Sequence, residues 1–210
     1  PALGPACPHC ALPGPAAAPC GRCLRRPPPW ATALAPWRYE FPVDRLLQGL
    51  KYGGRLAFAE PLGLDVAACV RRTPHALPDA VVPLPLGAAR QRERGFNQAN
   101  VIAAVVASYL VSHFGGMAFG APFGVFLGGL LLGALGNLYA RVAGRPGALV
   151  REPGILLLVP GSVGFRSVSY LLAREVGVGM ETGILLVTLL ISLVAGLLFG
   201  DLLIAPRRSL

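Results

Sequence analysis

Beyond Val101 the chain contains runs of about twenty residues almost free of charge, which limits it to one physical setting. Val101–Phe119 is nineteen residues whose only strongly polar side chain is His113, and Ala121–Ala140 is twenty more, with Asn137 near its end. Glu181–Ala205 is a third long run, with Asp201 near its end. Between them lies Ile155–Leu172, interrupted by Pro160-Gly161 and Arg166. A helix of about twenty apolar residues spans the ~30 Å hydrocarbon layer of a bilayer. Three such runs and a broken fourth predict a polytopic α-helical membrane domain over residues 101–210.

The composition divides at the same place. Residues 1–100 hold twelve Lys/Arg, six Asp/Glu and all five cysteines; residues 101–210 hold seven Arg, no Lys and four acids. A mean hydropathy of +0.59 excludes disorder, which needs low hydrophobicity. Charged residues make up 14% of the chain, against about 25% in soluble domains, so composition argues against an ordinary soluble globule, the alternative being a very apolar soluble helical core. The net charge of +9 fits nucleic acid or cytoplasmic membrane loops, and the apolar half favours the loops. Pro1 opens the chain without methionine and without a basic-then-apolar leader, so no secretory signal is expected and the N-terminus reads as that of a fragment.

Arginine placement predicts the orientation. With Arg90, Arg92 and Arg94 in the cytoplasm, the first span exits and the second returns Arg141, Arg145 and Arg151 inside. If 153–172 then crosses as a whole, the last span brings Arg207 and Arg208 back to the cytoplasm, and only Arg174 lies outside, beside Glu175. Four crossings and a cytoplasmic head follow. Glycines recur four apart at Gly120, Gly124 and Gly128, at Gly129 and Gly133, and at Gly196 and Gly200. Small residues at that spacing let helices approach closely in lipid.

The break in the third span is the candidate site. Pro160 lacks the N–H for a helical hydrogen bond, and Gly161 permits unwinding. Freed backbone groups at membrane depth are tolerated only against protein or a cavity, and transporters place substrate at such breaks. Pro160, Gly161, Ser162, Arg166 and Ser167 are therefore the candidate substrate-binding residues, with Ser169 nearby and Arg166 suited to a carboxylate. The competing reading, of equal weight, is a structural kink with Arg166 snorkelling to the interface.

In the head, Cys7-Pro8-His9-Cys10 and Cys20-Gly21-Arg22-Cys23 form two CxxC pairs. Each turn aims two thiolates at one point, and four sulfurs complete a tetrahedron around zinc. The Pro/Gly/Ala loop between them buries no core, so one structural Zn²⁺ held by Cys7, Cys10, Cys20 and Cys23 would supply most of the folding free energy of residues 1–26. Two disulfides or reduced thiols in a disordered tail are the alternatives. His9 is a bystander and Cys69 a buried inert thiol. Further along, Val43, Leu46, Leu47 and Leu50 fall at helical spacing ahead of Gly53-Gly54, and residues 61–70 suggest a second helix. Ala80–Pro85 reads as a short buried strand, and Arg90–Gln98 as a basic loop that either holds phosphate or is a solvated charge run.

The paired CxxC, Tyr52-Gly53-Gly54-Arg55, Val82-Pro83-Leu84-Pro85 and Arg92-Glu93-Arg94-Gly95-Phe96-Asn97-Gln98 resemble the N-terminal part of the ComF-type phosphoribosyltransferases, over about residues 5–100. That resemblance implies a zinc ribbon followed by a truncated α/β phosphoribosyltransferase segment at 27–100. The family's phosphoribosyl-pyrophosphate loop, with its paired acids and Thr/Gly-rich turn, has no counterpart after residue 100, so no catalytic residues and no transferase activity are expected. Nucleic acid is a conceivable partner only through this head.

Gly136-Asn137-Leu138-Tyr139-Ala140-Arg141, then Pro153–Ser167 with its PGILLLVPGS string, and Pro206-Arg207-Arg208-Ser209-Leu210 resemble the C-terminal membrane domain of the threonine/serine exporters, over about 115–210. The resemblance implies amino-acid efflux across the inner membrane, with a second membrane domain on the same chain or a partner chain, and the glycine spacing allows a homo-oligomer in its place. The two resemblances meet near residue 100, each truncated there. A fusion is expected, with a chimera or shifted reading frame favoured over a natural join. The expected fold is mostly α: a small four-cysteine zinc ribbon and truncated α/β segment ahead of about four spans. Its expected role is an incomplete amino-acid exporter; the alternative is a ComF-like competence protein lacking its catalytic half.

Overall fold

A computed structural model describes residues 4–15, 17–72 and 80–206. Nine α-helices occur among them: α1 Gly21–Arg25, α2 Val43–Gly53, α3 Ala59–Arg72, α4 Ala88–Arg94, α5 Gln98–Phe119, α6 Ala121–Ala143, α7 Ala148–Leu158, α8 Gly161–Leu172 and α9 Val176–Leu203. Arg207, Arg208 and the end of the terminal motif lie outside the described residues.

The expected helix after Val43 forms as α2 and stops at Gly54, whose φ of 61° is the left-handed conformation that glycine adopts freely. Residues 61–70 lie inside α3. Two readings of the head need correction. Ala80–Pro85 is not a strand: no strand occurs among the described residues, and Val82 and Leu84 are about four-fifths exposed. A strand is stable only with a neighbour to bond, and Pro83 and Pro85 remove two of the donors such bonding needs. Nor is Arg90–Gln98 a loop, because its first part is the short helix α4, ended by Gly95 at φ 78°.

The end of that segment is structural. Phe96 is buried in a core with Val43, Leu50, Ala59, Leu62, Val101 and Val105. Asn97 caps α5 by accepting a hydrogen bond from the Ala99 N–H at 3.0 Å, and its amide donates to the Leu84 carbonyl at 2.9 Å. Arg94 lies over the Tyr52 ring, 4.8 Å from its centre, while Arg90 and Arg92 are exposed. Helix α5 runs unbroken through residue 100, and its first half is packed against α3.

Among the described residues, four helices are long and apolar enough to cross a membrane: Gln98–Phe119, Ala121–Ala143, Ala148–Leu172 and Val176–Leu203. They coincide with the four expected spans, the third broken between α7 and α8 where Val159 turns extended before Pro160. Helices α6 and α9 meet along a glycine seam. A Cβ on Gly129 would stand 2.8 Å from the Leu193 carbonyl, one on Gly133 2.7 Å from that of Leu197, and one on Gly200 2.6 Å from that of Leu130. Gly196 lies hard against the Phe126 carbonyl in the same way. Backbones this close gain dispersion contacts that lipid cannot match, which is what holds helices together where apolar burial offers no drive. A core of Ala104, Leu132, Val150, Leu158 and Leu193 joins α5, α6, α7 and α9.

Candidate functional site

Two constellations carry chemistry. In the head, the turn of Cys7–Cys10 and the start of α1 bring the sulfurs of Cys7, Cys10, Cys20 and Cys23 within 4.8 Å of one another. Zn–S bonds of about 2.3 Å in a tetrahedron set sulfurs about 3.8 Å apart, and Cys10 and Cys20 Sγ are 3.8 Å apart. That spacing is far beyond a disulfide bond, and all five cysteines are free. The donor set therefore fits a tetrahedral thiophilic metal ion. The pKa of the Cys7 thiol is lowered to about 6, chiefly because the Cys20 backbone N–H donates to its sulfur at 3.3 Å. Burial pushes that of Cys23 up to about 12. A cation among the sulfurs would reverse that penalty, since the metal binds the thiolate. His9 stays out of the cluster; its Nδ1 lies 3.0 Å from the Ala31 carbonyl.

Of the candidate residues at the break, Pro160 and Gly161 form the bend between α7 and α8. Ser162 and Arg166, four residues apart, share an exposed face of α8. Ser167 is buried against α9, where its hydroxyl donates to the Gly179 carbonyl at 2.8 Å. Ser169 donates to the Phe165 carbonyl within its own helix. The break thus presents an outer face bearing Ser162 and Arg166, with no other described helix of the chain folded over it.

The second constellation went unread in the sequence. Arg151 on α7 donates from Nη2 to Asp201 Oδ1 on α9 at 2.7 Å and to Asn137 Oδ1 on α6 at 2.9 Å. Asn137 in turn donates from Nδ2 to Asp201 Oδ1 at 2.7 Å and to the Ile204 carbonyl at 2.6 Å. The Ile204 carbonyl is available because α9 ends at Leu203, leaving its last carbonyls without helical partners. The negative end of the α9 dipole also favours the guanidinium there. Arg151 reaches this position because Gly136 and Gly147 let α6 and the start of α7 touch; a Cβ on Gly136 would stand 3.1 Å from Arg151 Nε. Arg141 donates to the Ala205 carbonyl alongside, at 2.7 Å. The signal was available: ionisable residues of opposite sign in separate apolar segments point to a functional pairing.

His113, the strongly polar residue of the first span, also has company. Arg71 Nη1 lies 3.1 Å from its Nε2 and donates to the Tyr109 hydroxyl at 2.9 Å. An apolar cavity of about 290 Å³ opens between α5, α6 and residues 81–83, lined by Val81, Pro83, Ala103, Ala107, Leu135 and Tyr139. Its walls lack charged groups.

Four helices with the length and apolar character of membrane spans, a proline break in the third and an Arg–Asp pair in a cluster joining three helices define a multi-pass membrane protein. The chain belongs to the threonine/serine exporter (ThrE) family, whose profile matches residues 90–203. It is also similar over 109 residues to the DNA utilization protein YhgH of Salmonella typhi, at 38% identity, covering 50% of this chain and 48% of that protein. The YhgH of Escherichia coli K12 is 37% identical over the same length and the same shares. Competence protein F of Haemophilus influenzae is 32% identical over 95 residues, 43% of this chain and 42% of that protein. The chain spans about half the length of the curated relatives it matches. No solved structure matches.

Proposed function

We propose that this chain is the membrane domain of a threonine/serine efflux system of the inner membrane, with its head in the cytoplasm. The observation that carries the reading is coincidence: the exporter profile over 90–203 ends where the last of the four apolar helices ends and takes in all of the first. The outer face of α8, with Ser162 and Arg166, then becomes one wall of the substrate path. A second membrane domain or a second copy supplies the other wall, and the backbone at Pro160-Gly161 completes this side, with Ser167 holding α8 against α9. The head carries one structural Zn²⁺ on Cys7, Cys10, Cys20 and Cys23. The test is threonine release from cells loaded through a threonine dipeptide, with the second domain co-expressed. Release above the empty-vector rate is expected, and release at that rate rejects the reading.

A second reading rests on the relatives named for DNA utilization and competence. In it the chain is a ComF-like cytoplasmic protein whose own C-terminal half has been replaced beyond about residue 100, and nucleic acid would be met through the head. Carbonate extraction separates the two. An exporter domain stays in the membrane pellet, and a chain released to the supernatant favours the second reading. Continuous sequencing of source DNA across the codons for Arg94–Ser108 tests the join itself.

A further inference from the structure

The Arg151–Asp201–Asn137 cluster is an odd construction for a device that only holds helices together. One guanidinium nitrogen, Nη2, and one carboxylate oxygen, Oδ1, carry all of its charged contacts. Arg151 Nε is buried without a partner, and Asp201 Oδ2 accepts no hydrogen bond from the described residues. The two side chains keep 25% and 31% of their surface exposed, so the pair can be reached from one end of the bundle. Arg151 Nε is the one atom of the cluster that is both buried and unpartnered, while Arg151 Nη1 and Asp201 Oδ2 have no partner among the described residues and stand outside the buried set, open to a ligand.

We propose that Arg151, Asp201 and Asn137 form a binding site for a zwitterionic α-amino acid, which enters by exchanging partners with the ion pair. The ligand's carboxylate takes the exposed edge of the Arg151 guanidinium, where Nη1 has no partner among the described residues. Its ammonium group takes the Asp201 carboxylate, with Asn137 Oδ1 and the Ile204 carbonyl as further acceptors. Three ammonium hydrogens thus find three oxygens already gathered at the C-terminal end of α9. The charge count explains the selectivity. Protein pair and ligand each carry one positive and one negative charge, so the exchange leaves none unmatched. A ligand with a single charge would strand Arg151 or Asp201 in a partly buried site, and breaking such a pair from one side is far more costly than replacing it whole. Free amino acid enters from the end of the bundle where α6 and α9 finish and α7 begins. On the proposed orientation that end faces the cytoplasm, where an exporter loads. The site rests on the export reading, and it is formed within this chain, whereas the α8 face awaits a second domain.

The test is binding of tritiated L-threonine to the full chain in lipid nanodiscs, with unlabelled competitors. L-Threonine should compete, while L-threoninamide, which lacks the carboxylate, and 2,3-dihydroxybutyrate, which lacks the ammonium, should be about tenfold weaker or worse. Arg151→Gln and Asp201→Asn should each weaken threonine binding to a similar degree. The exchanged pair Arg151→Asp with Asp201→Arg keeps an ion pair but reverses its direction, and should unfold near the wild-type temperature while binding no threonine. Equal competition by the single-charge analogues overturns the site on wild-type protein alone, whatever the variants do. Full threonine binding in the exchanged pair shows a structural latch, and unchanged binding in Arg151→Gln places the site elsewhere; both overturn the assignment and leave export standing. A wild-type chain that binds no amino acid overturns the site alone; the export reading, which needs the second domain, is decided separately by threonine release from co-expressing cells.

Discussion

Arg151 and Asp201 lie fifty residues apart in sequence, yet Arg151 Nη2 and Asp201 Oδ1 are 2.7 Å apart, joining the first turn of α7 to the last turn of α9. Among the described residues this is the one ion pair that links two helices. The neighbouring contacts there are glycine backbone approaches and carbonyls at a helix end. Stability and recognition therefore meet in one pair.

Removing one partner should cost more than neutralising it in shape. Asp201→Ala leaves the guanidinium with only Asn137 and the Gly133 carbonyl, and should destabilise the bundle by about 1–3 kcal/mol, less than a fully buried pair because both groups are partly exposed. Asp201→Asn should cost roughly half as much, since an amide oxygen still accepts. Thermal unfolding in detergent, followed by helical circular dichroism, measures both.

The glycine seam sets the distance between α6 and α9. Gly196→Val should force the helices apart at Phe126 and cost about 1–3 kcal/mol by overpacking. Gly177→Ala, where nothing lies within 4 Å of the added carbon, should be neutral or slightly stabilising. The same unfolding assay should rank them so; equal midpoints would show that the seam does not hold the bundle.

The purified chain should carry one zinc ion. Serine at Cys7, Cys10, Cys20 or Cys23 should lower the occupancy, and serine at Cys69, which lies outside the cluster, should not. Elemental analysis with thiol counting by mass spectrometry decides this, and a metal-free chain with disulfides would reject it.

Arg166 stands on the exposed face of α8, six residues past the break. An intramembrane charge costs ~2.5–3.5 kcal/mol on insertion scales, so a role is expected of it. With the second domain supplied, Arg166→Gln should abolish threonine export while membrane insertion persists. Arg166→Lys should recover only part, because it keeps the charge and loses the planar two-pronged grip on a carboxylate. Undiminished export in the glutamine variant would leave Arg166 as a side chain that snorkels to the interface.

Much of this architecture is written locally in the chain. The four spans are legible because crossing lipid demands an unbroken apolar length, and no distant contact can substitute for it. The four-cysteine cluster is legible because both CxxC turns place their sulfurs by short-range geometry. The bend at Pro160-Gly161 follows from a missing N–H in one residue. Ala80–Pro85 misled because an apolar, β-branched run states a preference for pairing, and the preference is empty without a neighbouring strand. The Arg151–Asp201–Asn137 cluster could not be assembled by reading along the chain. Asn137 and Asp201 each looked like the polar end of an apolar run and Arg151 like a loop arginine, and only the approach of α6, α7 and α9 makes one site of the three. Hydrophobic length is a property of each segment, but a charge's partner is settled by which helices touch, and that is decided by packing.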